Sequence, residues 1–312
     1  MVLSDVVSVS VTVLVSFIFV LILASFIACK RKCGKQCLKT IHRPAGEDHG
    51  KAIDGSESVD CTGKITDGVN GCPKGKTGSL SVREVSDFFR CECSIINRSE
   101  KGGLLSAYMA ARKAGIKEGF IPIVISESYF RHLVEDLYSL SREELTEMRK
   151  SAMARFALID SNVVIGEFLA GHEADEYVAD GMYDGCDCGY EEVPDLMQAD
   201  DYSKEFILLH LPVSKPEDIF AWIPFGGFNE CPDIDDQAAF AKCWNEKFGA
   251  YPAAITEDTL EYVVDKLPTE EESRQLALQQ YAFSPDIVEQ GISLSCLTEY
   301  LRKNKVWFFW WD

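Results

Sequence analysis

The chain has 312 residues, 46% of them hydrophobic and 26% charged, with a formal net charge of −19. Eighteen phenylalanines and five tryptophans supply apolar surface for a sizeable core, which excludes a chain disordered throughout. The first 43 residues hold six basic side chains and one acidic one, so residues 44–312 carry 25 basic against 49 acidic groups, a net of −24. Such a field repels phosphate backbones, so the globular region is expected to bind no nucleic acid and to favour a basic protein partner.

Residues 6–28, from Val6 to Ala28, form an uncharged apolar run of 23 residues followed by Cys29-Lys30-Arg31-Lys32. As a helix this run is about 34 Å long, enough to cross a hydrocarbon core about 30 Å thick. Val, Phe, Ile and Leu surround the whole helix and leave no polar stripe for a water-facing side. A cleaved signal would want a basic start and a shorter apolar core. The basic residues follow the run and only Asp5 precedes it, so the positive-inside bias places the C-terminal side in the cytoplasm. The expectation for residues 1–43 is a single-pass transmembrane anchor, set in the lipid bilayer through residues 6–28, with a basic juxtamembrane segment. Cys29, Cys33 and Cys37 stand where reversible palmitoylation is chemically feasible.

Residues 44–80 are rich in glycine and small polar side chains and read as a flexible linker. Gly71-Cys72-Pro73-Lys74-Gly75-Lys76-Thr77 lacks the four-residue gap of a phosphate-binding loop, and no apolar strand precedes it. Folded structure begins at Ser81, where Ser81 and Glu84 stand in capping-box spacing ahead of Val85, Phe88 and Phe89. A helix follows from Leu104 to Ala114, then a β-branched strand from Phe120 to Ile125 whose Pro122 suits an edge or a strand start. Helices fit Glu127–Leu140 and Arg142–Arg155, the second capped by Ser141 with Glu144, and Phe156–Ile165 reads as a strand. Gly171–Tyr202 is acidic and reads as an exposed excursion without a regular calcium loop.

In the second half, Glu205–Val213 reads as a strand, Pro216 opens a short helix, and Asp235–Phe248 is an amphipathic helix stopped by Gly249. Tyr251–Ile255 and Leu260–Val264 form a hairpin around Thr256-Glu257-Asp258-Thr259. Helices Glu270–Ala282, begun by Thr269 and Glu272, and Leu294–Lys303 precede a last strand, Val306–Trp311. The fold class is α+β: an N-terminal single transmembrane helix, a flexible linker, then a mixed helix/sheet region with a buried aromatic C-terminal strand. Residues 81–210 form its N-terminal α+β part and residues 211–312 a C-terminal α+β domain. Trp307, Phe309 and Trp311 alternate with Phe308 and Trp310, so the last strand is expected to be central and covered on both faces.

Cysteine spacing is irregular, so most thiols read as free. Cys91-Glu92-Cys93 and Cys186-Asp187-Cys188 lack the usual zinc-knuckle spacing, and no metal or cofactor is expected. Phe220-Ala221-Trp222, Gly226-Gly227-Phe228-Asn229, Trp244-Asn245-Glu246-Lys247-Phe248-Gly249-Ala250, Tyr281-Ala282-Phe283-Ser284-Pro285-Asp286-Ile287-Val288-Glu289-Gln290-Gly291 and Trp310-Trp311-Asp312 resemble, in order and spacing, the bacterial family catalogued as domain of unknown function 4253. The likeness covers about Leu211 to Asp312 and brings no activity with it. The family often has Cys where this chain has Ser284 and Trp where it has Phe228, which argues against a catalytic thiol at 284.

The chain lacks a G-x-S-x-G elbow and an H-E-x-x-H motif, and His172-Glu173-Ala174-Asp175-Glu176 lacks a second histidine for zinc. The residues favour a non-catalytic acidic interaction module, immunity-like or adaptor-like, over an enzyme. The alternative is a carboxylate-dependent hydrolase with an aromatic-lined pocket. Trp222, Asn229, Asp286, Gln290, Trp310 and Asp312 are the candidate pocket or binding residues for either reading, with Asp286 and Asp312 as its carboxylates.

Overall fold

The computed structural model describes residues 80–98, 103–137, 139–172, 195–197 and 205–312. The expected span at residues 6–28, the linker through residue 79, Cys186 and Cys188, and most of the acidic excursion lie outside the described residues. In chain order the elements are α1 (Val82–Phe89), β1 (Glu92–Asn97), α2 (Gly103–Glu118), β2 (Ile121–Ser126), α3 (Glu127–Leu137), α4 (Arg142–Leu158) and α5 (Ser161–Gly171). Then come β3 (Glu205–Leu211), a 3-10 turn (Pro216–Asp218), α6 (Ile219–Trp222), α7 (Ile234–Phe248), β4 (Tyr251–Ile255) and β5 (Thr259–Val263). The chain closes with α8 (Glu270–Phe283), a π turn (Ile287–Gly291), α9 (Leu294–Lys303) and β6 (Val306–Trp310). Among the described residues no helix is long and apolar enough to cross a membrane.

Side chains at the helix starts explain several boundaries. Ser141 Oγ accepts the Glu144 N–H at 3.2 Å while the Glu144 carboxylate accepts the Ser141 N–H at 2.7 Å, and Thr269 and Glu272 reciprocate in the same way at the start of α8. Each box satisfies two backbone donors that the first turn would otherwise leave unpaired. Ser81 precedes α1 but makes no side-chain capping bond, so the box expected there is not formed. The strand expected at Phe156–Ile165 is also absent. Helix α4 runs on to Leu158, and Asp160 accepts the Asn162 N–H at 3.0 Å to start α5. Phe156 and Ile165 reach the core from two helices, a placement that a short apolar run cannot distinguish from a strand. Helix α7 ends at Gly249, whose φ of 62° and whose approach to the Asp265 carboxylate, 2.7 Å from where a Cβ would stand, both call for glycine.

The six strands form one sheet in the order β1-β3-β2-β4-β5-β6. Only β2 and β4 run parallel; every other neighbouring pair is antiparallel. Strand β2 pairs with β3 along its whole length but meets β4 only at Val124 and Ile125, so Pro122 falls before the β4 ladder begins. Strands from either side of residue 211 therefore share one sheet.

Alternation along the strands separates two unequal faces. Ile123, Ile125, Leu209, Tyr262, Trp307 and Phe309 face a large core to which every helix except α2 contributes. At its centre Trp244 stacks on Phe309 with centroids 5.4 Å apart and meets Trp307, Tyr262 and Phe283 edge to face at 5.7, 5.5 and 5.1 Å. Opposed quadrupoles favour these geometries beyond simple burial. The opposite face is thinner: Val124, Phe206, Leu208 and Ala254 meet Leu104, Tyr108 and Ala111 of α2 together with Leu196 and Met197.

The last strand is not central. β6 is an edge strand, and although Trp307 and Phe309 are fully buried, Phe308 and Trp310 are only half-buried. Lys305 O and the Trp311 N–H bond inward, to Val264 N and Asp258 O. The alternate carbonyls therefore face the rim, and two of them are capped: Tyr300 Oη donates to Val306 O at 2.6 Å and Ser284 Oγ to Trp310 O at 2.8 Å. Hydroxyl donors thus satisfy rim carbonyls that a neighbouring strand would bond if β6 were central. Among the described cysteines, 91, 93, 231 and 243 are free, whereas Cys296 is disulfide-bonded.

Candidate functional site at the sheet end

Strands β2 and β4 finish side by side, and the turns that follow them bring polar side chains together. Ser126, buried at the end of β2, accepts the Tyr129 N–H at 3.1 Å as α3 begins, lies 3.1 Å from Ser128 Oγ, and donates to Glu257 Oε2 at 3.5 Å. The other oxygen of Glu257 stands 4.0 Å from His132 Nδ1. Contacts thus run serine to glutamate to histidine, and among the described residues no imidazole hydrogen-bonds the Ser126 hydroxyl, as a serine nucleophile would need. In the β4–β5 turn, Thr256 Oγ1 lies 2.7 Å from Thr259 Oγ1 and donates to Asp258 at 3.2 Å.

The end of β6 joins the same cluster. The Trp311 N–H donates to Asp258 O at 3.2 Å, and its ring packs on Phe225 and Phe283 at 5.7 and 5.5 Å. Phe225 meets Tyr129 at 6.1 Å, and Tyr129 Oη donates to Pro224 O at 2.8 Å. In this way segments far apart in the chain, including the Phe225–Phe228, Ser284–Gly291 and Trp310–Asp312 blocks, come to one end of the sheet.

The six residues expected to line one pocket fall into three places. Asp286 takes the Asp312 N–H on one oxygen at 2.9 Å and the Gln290 side-chain amide on the other at 2.8 Å, so these three form a clamp on the end of β6. Trp310 is tied to the same place by its Ser284-bonded carbonyl. Asn229 is exposed on the neighbouring loop, at φ 46°, a left-handed turn position that asparagine tolerates. That loop closes where the Cys231 N–H donates to Phe228 O at 2.8 Å, and Gly226 cannot carry a side chain, since a Cβ there would lie 1.9 Å from Pro232 O. Trp222 stands apart: the Arg149 guanidinium lies 4.0 Å above its ring and donates to Phe89 O at 3.4 Å. Ser126, Ser128, His132 and Glu257 were missed because only the β2–β4 pairing places them beside the blocks.

The electrostatics of this end are one-sided. Among the described residues Asp258, Asp286, Glu289 and Asp312 have no Lys or Arg within ion-pairing distance, and Glu257 has only His132. Elsewhere among the described residues some acids are matched, as in Arg112–Asp265, Arg155–Asp235 and Arg302–Glu299, while others, such as Asp233 and Asp236 at the start of α7, are not.

At the opposite end an open cleft of about 630 Å³ is lined by Arg90, Cys91, Glu92, Glu118, Phe120 and His210 among others. The His210 ring stacks on Phe120 at 4.1 Å, and its Nδ1 lies 3.8 Å from Glu92 without a hydrogen bond. Burial, with Cys93 nearby, pushes the Cys91 thiol up to about 12 against the pull of Arg149. Cys91 is therefore a protonated thiol and a poor nucleophile. Among the described residues no three His, Cys, Asp or Glu side chains are grouped to hold a metal ion.

Residues 207–312 match the family model described as Domain of unknown function (DUF4253). The match contains the aromatic core centre, the Asp286 clamp and Glu257, while β1, β2 and helices α1 to α5 lie outside it. No curated protein and no solved structure matches the chain.

Proposed function

We propose that this protein is an acidic, non-catalytic interaction module, immunity-like in character. It is held at the membrane by residues 6–28 with its globular region in the cytoplasm, and it engages a basic protein through the sheet end where β2, β4 and β6 finish. One observation carries the reading: at the sheet end where half-buried Trp310 lies, the carboxylates of Asp258, Asp286, Glu289 and Asp312 have, among the described residues, no Lys or Arg within ion-pairing distance, and Glu257 has only His132. Uncompensated charge of one sign raises encounter rates with a partner of the other sign, and a half-buried aromatic supplies contact area at low entropy cost. Residues 207–312 carry eight basic against eighteen acidic groups, a net of −10, so the bias extends over the whole matched region.

The test is a titration of the full chain with a lysine-rich peptide, followed by tryptophan fluorescence at low and high salt. Binding is expected at low ionic strength and is expected to weaken at least tenfold in the double variant Glu257→Gln, Asp312→Asn. Equal affinity in wild type and variant, or no binding even at low salt, overturns the reading. The anchor is tested separately, since alkaline carbonate washing is expected to leave the full-length chain in the membrane pellet.

A further inference from the structure

Glu261 stands in the middle of β5, between Ala254 of β4 and Phe308 of β6, and points to the thin face of the sheet. A carboxylate there would ordinarily meet water, yet the side chain is only 3% exposed. Its cover is the short stretch Asp195–Met197, whose Leu196 and Met197 are buried in the α2-side core. Four hydrogen bonds hold that stretch. The Met197 N–H donates to Glu261 Oε2 at 2.8 Å, the Arg98 guanidinium donates to Met197 O, and the Asp195 carboxylate accepts the Leu104 and Leu105 N–H groups at 3.1 and 2.6 Å. Met197 adopts φ 54°, a left-handed backbone that a methionine takes only when its surroundings enforce it.

We propose that Asp195–Met197 is a strap latched to the sheet by Glu261, and that the latch weakens as this carboxyl loses its proton. A neutral carboxyl still accepts the Met197 N–H, whereas an ionised one is a buried charge beside Asp195. Two charged groups act on Glu261 among the described residues: Asp195 from the strap, which disfavours ionisation, and Arg98 after β1, which favours it. Its flanking strand neighbours, Ala254 and Phe308, carry no charge. Burial is the largest influence and pushes Glu261 up to about 8, against the pull of the Met197 N–H.

With the strap open, water reaches the carboxyl and it returns toward the ordinary glutamate range. The latch is therefore strongest below that range, weakens by up to about tenfold per pH unit as pH rises toward 8, and levels off above it. Opening also uncovers the apolar seat of Leu196 and Met197 in the α2-side core.

The experiment is hydrogen exchange on the full-length protein from pH 5 to 9, read as protection factors for the Met197, Leu104 and Leu105 amides. In wild type all three are expected to lose protection between pH 5 and 8. Glu261→Gln, which keeps an acceptor for Met197 N–H but cannot ionise, is expected to hold protection level across that range. Asp195→Asn, which removes the neighbouring like charge, is expected to move the upper limit of the wild-type fall to lower pH. Flat protection in wild type, an unchanged slope in Glu261→Gln, or an unmoved limit in Asp195→Asn overturns the latch.

Discussion

On one face of the sheet Trp244 lies among Phe240, Tyr262, Phe283, Trp307 and Phe309, and nothing charged enters that group. On the other face Glu261, one position before Tyr262 in the same strand, is buried against a three-residue strap and two charged neighbours. Adjacent residues of β5 thus meet opposite physics. Apolar burial on the aromatic face is insensitive to pH and salt, whereas the thin face depends on hydrogen bonds and charges whose strength solution conditions can alter. Stability is concentrated on one side of the sheet and responsiveness on the other.

Substitutions on the two faces can break this contrast or sharpen it. Trp244→Ala should cost about 4 kcal/mol, because it empties the centre of the aromatic cluster and leaves a cavity that its neighbours cannot fill. Urea denaturation of the variant is expected to show a collapsed midpoint at every pH and salt concentration. A loss that salt can reverse would mean that the aromatic face also rests on charge.

On the thin side, Arg112 grips Asp265 with two bonds of 3.0 and 2.8 Å and lies 4.2 Å over the Tyr251 ring. Arg112→Ala should cost about 2 kcal/mol, with the difference from wild type shrinking as salt rises. A salt-independent loss would reduce Arg112 to simple packing. Smallest of the three, Thr269→Ala removes one half of a capping box and should cost about 1 kcal/mol in a thermal melt, with little dependence on salt. It sets the scale of a local defect that belongs to neither face.

Local features were legible in the sequence. The boxes at Ser141–Glu144 and Thr269–Glu272, the Gly249 stop and the hairpin through Thr256–Thr259 all depend on residues within a few positions of one another. Sheet order was not legible, because no local signal says which strands lie beside β2. The aromatic alternation in Val306–Trp310 suggested a central strand, since sequence shows which residues are apolar but not whether a helix or a strand covers them. Phe156–Ile165 misled for a related reason: Asp160, the cap that separates two helices, lies inside the apolar run. Of the candidate site, Asp286, Gln290 and Asp312 were named from the sequence, but their meeting was not legible, because Asp286 and Asp312 lie 26 positions apart in separate blocks. Glu261 was not, because in Leu260-Glu261-Tyr262 it occupies the position where an ordinary half-exposed strand would place a solvated side chain.

The hydroxyl donors on β6 have a consequence for assembly. With Val306 and Trp310 already bonded at their carbonyls, that rim offers an incoming chain few acceptors, while β1 at the far rim pairs only with β3 among the described residues. Lateral growth of a ribbon needs two receptive margins, one for each neighbour. Two rim carbonyls already bonded to hydroxyls make β6 a poor docking margin for a neighbouring copy, which opposes fibre growth at that rim.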